Sequence, residues 1–332
     1  MFCRTFLLFS IFTLNSLTSH ADDSLDTNVE ALFDYRSDRV REDVNTNNTA
    51  IRNFSIRVEK KTPDGRFLIE LLGDEGLSTE DVDLSIGEFY YESIKDLKYL
   101  ESTVRMGLFK LDYGVLNDFD DHFYRLPSYY KFLYGLPRGI DTGLFVNNQI
   151  LESKFHFAFG AYLGKALRAT DLKRRESFGT PFSAHLKYEI NKTSNIKIDY
   201  FIREYEGSPR VRGLGLSYEG GYKYKALSFS VLSEVFLLNT NSTEVNSQAR
   251  TFLLSPKVGY KKIYLQPIIS GENWENQSAT VSSSESFNSI RAGFHLTDHL
   301  ILEGEYLKIE DKRTALLKEE QLIARVYLNW SF

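Results

Sequence analysis

The sequence predicts an all-β protein, a transmembrane antiparallel β-barrel. Three observations point there. Runs in which apolar and polar residues alternate recur along nearly the whole chain, the period-two pattern of strands with one face in an apolar medium. Long polar connections alternate with very short ones, as in a barrel whose turns are tight on one side of the membrane and longer on the other. The chain also stops on "VYLNWSF", Val326 to Phe332, where an ordinary terminus is polar and frayed.

Composition narrows the class. The chain has 25 Phe and 20 Tyr but only 2 Trp and 7 Pro, with a mean hydropathy of −0.30. No segment holds the ~18 consecutive apolar residues of a spanning helix, so a membrane crossing must use strands. The formal net charge of −5 and the lack of a concentrated basic block give no footprint for nucleic acid. At the start, Arg4, the apolar run Thr5 to Leu14, and small residues Ser19 and Ala21 read as a signal peptide cleaved after residue 21. One barrel domain over residues 22–332 follows. The single cysteine, Cys3, falls in the leader, and a disulfide-free chain fits a bacterial envelope protein better than a eukaryotic secreted one.

In chain order, the alternating apolar residues are Phe54-Ile56-Val58, Phe67-Ile69-Leu71 after the turn "TPDG", Val104-Met106-Leu108, Phe155-Phe157-Phe159 and Ile196-Ile198-Tyr200-Ile202. Then come Leu227-Phe229-Val231, Val235-Leu237, Ile263-Leu265, Ile290-Ala292-Phe294-Leu296, Leu300-Leu302 and the final Leu322-Ala324-Val326-Leu328-Trp330-Phe332. Tight connections are expected at 62–65, 95–98, "NNQI" 147–150, "NKTSN" 191–195, 220–224, 260–262 and "TDH" 297–299. Long ones are expected at 37–49, 73–81, 111–140, 164–182, 205–210, 239–249, 271–285 and 310–319. Eight long and seven short connections make sixteen strands, or fourteen if the weakly patterned stretches 82–92 and 211–219 are not strands. About 19 residues per strand and connection suffices where ~9–11 cross the bilayer.

The last strand resembles the closing strand of outer-membrane proteins, which commonly ends on an aromatic residue read by the barrel-assembly machinery. Phe332, Trp330 and Leu328 stand at the matching positions. With both termini on the short-turn side, this strand is expected to close against the first, near Asn28 to Tyr35.

The connection Leu111 to Ile140, "LDYGVLNDFDDHFYRLPSYYKFLYGLPRGI", combines charges with many aromatics. Such a loop is better placed packed against an inner wall than in water, although one folded on itself at the surface or used between subunits has the same composition. "VRMGLFKLDYG" (Val104 to Gly114), this loop, "LPRGIDTGLFVNN" (Leu136 to Asn148) and "FHFAFGAYLG" together resemble the phosphate-selective porin group. That resemblance implies a sixteen-stranded, often trimeric barrel, with a third loop folded inward to constrict a channel for small hydrophilic solutes or anions such as phosphate. It places Lys110, Arg138 and Asp141 at matching positions and Arg125 and Lys131 as loop cations. Asp118, Asp120 and Asp121 share the loop and depart from a purely basic constriction.

On the inward register the pattern puts Arg57, Arg105, Lys187, Lys197, Arg203, Arg291 and Arg325 against Glu70, Glu189, Asp199, Glu234, Glu303 and Glu305. A midplane Arg facing lipid costs about 2–4 kcal/mol, so these charges require a polar interior. Opposed basic and acidic arcs would orient solutes in transit; charges merely solvated or paired are the plainer alternative. The loop Lys165 to Gly179 is basic and suits lipopolysaccharide phosphates or simple solvation.

Catalysis has little to build on. Asp120-Asp121-His122 places carboxylates beside an imidazole, but no nucleophile or His-Glu-x-x-His spacing accompanies it, and no cofactor or metal site is expected. The sequence therefore reads as a passive diffusion channel in the outer membrane of a Gram-negative-type bacterium. Its partners would be outer-membrane lipid, lipopolysaccharide, the assembly machinery and two further copies in a homotrimer. A non-conducting barrel for surface interaction is the alternative, and an outer-membrane hydrolase a more distant one.

Overall fold

A computed structural model describes residues 27–40, 48–75, 82–97, 100–110, 140–150, 153–162, 182–203, 210–241, 246–276, 281–311 and 318–331. The strands are β1 (Thr27–Val40), β2 (Asn48–Thr62), β3 (Gly65–Glu75), β4 (Val82–Leu97), β5 (Leu100–Lys110), β6 (Ile140–Ile150), β7 (Phe155–Tyr162) and β8 (Phe182–Asn191). They continue as β9 (Ser194–Arg203), β10 (Arg210–Tyr224), β11 (Leu227–Asn241), β12 (Asn246–Tyr260), β13 (Ile263–Asn276), β14 (Val281–His295), β15 (Leu300–Asp311) and β16 (Lys318–Ser331). Each pairs antiparallel with its chain neighbours, and β1 pairs β16, so the sheet closes with no free edge. Closure satisfies the backbone hydrogen bonds that a membrane would otherwise leave unmet. The two weakly patterned stretches are strands β4 and β10, giving sixteen among the described residues.

Alternation sorts the faces as the sequence predicts. In β16, Leu322, Ala324 and Val326 are exposed while Ile323, Arg325 and Tyr327 are buried. The outward positions of neighbouring strands join into a belt that includes Met106, Leu144, Leu216, Phe252 and Ile290. A continuous apolar band of this extent is stable only against lipid.

Three local features explain where the pattern was hard to read. Ile69 pairs with Phe89 but Leu71 with Ile86, so β4 carries one extra residue opposite Glu70. This bulge resets the alternation: Ile86 and Phe89, three apart, are both exposed, at 48% and 57%, while Glu88 between them is buried. The expected turn at "NNQI" lies inside β6, where Asn147 and Asn148 pair with Thr103 and Ser102, and Ser102 Oγ donates to Asn148 Oδ1 at 3.0 Å. That hydrogen bond lets an asparagine sit in the wall. The expected turn at 220–224 is likewise strand, since β10 runs through Gly220 and Gly221 and turns at Lys225 and Ala226.

The expected loops 37–49, 239–249, 271–285 and 310–319 are shorter than their polarity suggests, because the strands run on to Val40, Asn241, Asn276 and Asp311. Beyond the lipid belt both faces of a strand are wet, so hydrogen bonding continues after alternation has ended. One seam is interrupted. The β12–β13 ladder runs to Leu254 with Ile269 and resumes at Val258 with Leu265. Pro256 and Pro267 stand in the gap, neither having an N–H to donate. On the inner side Gln266 Nε2 donates to Ser255 Oγ at 2.8 Å and ties the two strands there.

Candidate functional site

The inward face is the candidate site, because the closed wall of the described residues encloses a polar lumen. Arg57 stands on β2 opposite Glu70 of β3 and Glu30 of β1. One strand pair along, Glu92 of β4 accepts from two arginines. Arg66 Nε reaches Oε1 at 2.6 Å, and Arg105 Nε reaches Oε2 at 2.9 Å, while Arg66 Nη1 also meets Glu59 Oε2 at 3.2 Å. The Arg105 guanidinium lies 4.6 Å from the centroid of Tyr90, with Phe109 and Phe145 at 5.6 and 5.7 Å. Carboxylate and aromatic faces thus hold this cation in one orientation.

Around the β1–β16 closure stands a second cluster. Arg291 Nε is 3.1 Å from Glu303 Oε1, and its Nη2 donates to Glu305 Oε2 at 3.1 Å. Arg325 Nη1 contacts both the same Glu303 oxygen and the same Glu305 oxygen at 2.6 Å. The Tyr264 hydroxyl donates to Glu303 Oε2, and Lys257 Nζ sits 3.7 Å over the Tyr264 ring. On the far wall Lys197 pairs with Asp199 two residues along the same strand, at 3.3 Å. His156 Nε2 lies 2.9 Å from Glu189 Oε1.

Separate acidic and basic arcs are therefore not what the described residues form. Opposite charges interleave as compact pairs, between adjacent strands or, for Lys197 and Asp199, within one, because a buried charge without a partner is costly. Of the sequence-expected lumen charges, Arg57, Arg105, Lys197, Arg291 and Arg325 all occupy the inward register, and the structure brings Arg291 and Arg325 together. Arg203 ends β9 opposite Val211. Lys110 and Asp141 stand at the ends of β5 and β6 beside the long connection, where the ladder pairs them with Ile140 and Phe109 respectively. Asp118, Asp120, Asp121, His122, Arg125, Lys131, Arg138 and Phe332 lie outside the described residues. Trp330 and Leu328 pair with Val29 and Ala31 across the closure.

Sequence reading missed the apolar half of this surface. Tyr90, Phe109, Phe145, Tyr162, Phe201, Phe236 and Phe287 all point inward and are buried in one connected cluster. Their signal is a cross-strand glycine. Tyr90 pairs with Gly107, Tyr162 with Gly143, Phe201 with Gly213, Phe236 with Gly215 and Tyr264 with Gly293. A Cβ at Gly213 would lie 2.1 Å from the Phe201 ring, so the ring rests on bare backbone. Seating a ring on a glycine in this way lets it lie close to the wall.

No family model matches the chain, and no curated protein sequence does. Solved structures do match. The outer-membrane channel DcaP of Acinetobacter baumannii superposes with a TM-score of 0.58 at 9% identity, covering 93% of this chain and 99% of that one. OpdK of Pseudomonas aeruginosa, an outer-membrane protein, gives 0.56 at 9% identity, with 93% and 99% covered. A loop-deletion form of the Vibrio cholerae outer-membrane protein OmpT gives 0.61 at 8% identity, with 92% and 99% covered. The fold is that of an outer-membrane β-barrel. Identities this low establish architecture alone. The barrel's apolar belt and closed sheet are what such a protein needs to sit in the outer membrane as a multi-pass wall.

Proposed function

We propose that this barrel is a porin, a passive channel for small hydrophilic solutes. The observation that carries the reading is the sorting of charge. Arginine, lysine, glutamate and aspartate occupy the inward register from β2 to β16 while the outward register is apolar, which suits an aqueous path through a lipid-embedded wall. A solved neighbour described as an outer-membrane channel, DcaP, supports it. The finer reading, a route for small anions such as phosphate with the third loop as constriction, rests on the resemblance around Val104 to Asn148 and on Lys110, Arg125, Lys131 and Arg138. A signal peptide over residues 1–21, recognition of the C-terminal strand by the assembly machinery, contact with lipopolysaccharide and trimeric assembly complete the proposal. A trimer form of Vibrio cholerae OmpT is among the neighbours.

One observation favours a second reading, a non-conducting barrel for surface interaction. Several inward side chains, Arg291 and Phe236 among them, have no solvent exposure, as a narrow or blocked lumen would produce. Single-channel recording of the purified folded protein in planar bilayers separates the two. Discrete conductance steps are expected, and bilayers that stay closed would leave the surface-interaction reading. Reversal potentials across a salt gradient then test anion preference.

A further inference from the structure

The short-turn end of the barrel carries charge unevenly. The tight turn at 62–65 contains Asp64, and the sequence stretches 95–99 and 151–154 mix acid with lysine, Asp96 with Lys95 and Lys98, Glu152 with Lys154. Along the arc from β8 to β13 the turns are instead "NKTS" (191–194), "YKAL" (224–227) and "YKKI" (260–263), with no acid in any of them. These turns adjoin. Leu227 pairs with Tyr260, and Thr193 Oγ1 donates to the Gly221 carbonyl at 2.7 Å. Lys192, Lys225, Lys261 and Lys262 are all exposed, and the first acid met further round is Asp298.

Two of these lysines repeat one geometry. Lys225 and Lys261 have φ of 54° and 52°, at the first central position of a two-residue hairpin, which a type II′ turn usually gives to glycine. Each folds back over the tyrosine before it, with Lys225 Nζ 5.4 Å from the Tyr224 centroid and Lys261 Nζ 5.4 Å from that of Tyr260. Those tyrosines lie on the outward register and are 57% and 55% exposed, with Tyr222 beside them. They form an aromatic girdle at the bilayer boundary. The ammonium groups therefore stand outside the wall, at headgroup level, and not in the lumen. Among the described residues neither has a carboxylate partner.

We propose that this arc, centred on Lys225 and Lys261, binds the phosphate of anionic phospholipids in the leaflet next to the short turns. The tyrosine ring holds the lysine stem at the interface while the ammonium meets the phosphodiester. The site uses the membrane placement argued under the proposed function but is independent of whether the lumen conducts.

The test equilibrates the purified folded barrel with equal amounts of phosphatidylethanolamine and phosphatidylglycerol and counts retained lipids by native mass spectrometry. Phosphatidylglycerol is expected to be enriched, with roughly a fivefold loss of preference for each lysine removed in Lys225→Gln and Lys261→Gln. The double arginine variant should keep the preference, and high salt should weaken it. Equal retention of both lipids by the unaltered protein overturns the proposal, as does unchanged enrichment in the double glutamine variant. Lysine-dependent binding to purified peptidoglycan without lipid preference also overturns it and assigns the arc to an acidic cell-wall partner. Heat-modifiable migration confirms that each variant is folded. Conductance in bilayers of neutral lipid reports on the channel reading separately, so failure of one is not failure of the other.

Discussion

Tyr264 of β13 lies over Gly293 of β14, where a Cβ would sit 2.1 Å from the ring. The pairing holds the tyrosine against the wall with its hydroxyl on Glu303 and its face under Lys257. Substituting Gly293→Ala forces the ring off this seat. Overpacking of this kind costs about 1–3 kcal/mol. Urea unfolding of the folded barrel should show a lower midpoint for the variant. An unchanged midpoint would mean the ring is not seated on the glycine.

Arg325 joins β16 to Glu303 and Glu305 on β15, and both carboxylates also hold Arg291 of β14. Replacing Arg325 with Met leaves two buried glutamates sharing one arginine. Breaking a buried pair from one side costs about 3–5 kcal/mol. A double-mutant cycle between Arg325→Met and Glu305→Leu should return strong coupling, with the double variant more stable than Arg325→Met alone. Additive losses would show that the cluster does not act as a unit.

Arg105 shares Glu92 with Arg66. In Arg105→Gln, Glu92 keeps one cationic partner, so the wall should remain intact while the lumen loses one positive charge. The reversal potential in a salt gradient should move toward cation preference, more at low ionic strength than at high. An unchanged reversal potential would place Arg105 away from the conducting path.

Deleting Asn117 to Tyr134 tests the third connection, which lies outside the described residues. Conductance should rise if that connection narrows the pore. An unchanged value would put it outside the lumen.

The antiparallel barrel, its closure of the last strand on the first, and the lipid-facing register were legible in the sequence. The reason is that lipid imposes one rule on every second side chain of every strand. Leu322, Ala324 and Val326 announce their face by composition alone. The rule fails at a bulge, so Ile86 and Phe89 hid strand β4. It also fails above the membrane, where Asn241 and Asn276 continue strands that read as loop.

Inside the barrel no such rule operates, since a lumen accepts charges, hydroxyls and rings alike. The alternation put Arg291, Arg325, Glu303 and Glu305 on the inner face. Only the registers of β14, β15 and β16 decided that they meet as one cluster rather than as opposing arcs. Which ring rests on which glycine was likewise a matter of register, because Phe201 and Gly213, or Tyr264 and Gly293, become neighbours only when strands pair across a turn or a loop. The sequence by itself determined which way each strand faces, through a local and repeated solvent preference. The tertiary structure decided what each inward side chain touches, because those partners lie on other strands and their pairing is set by hydrogen-bond register.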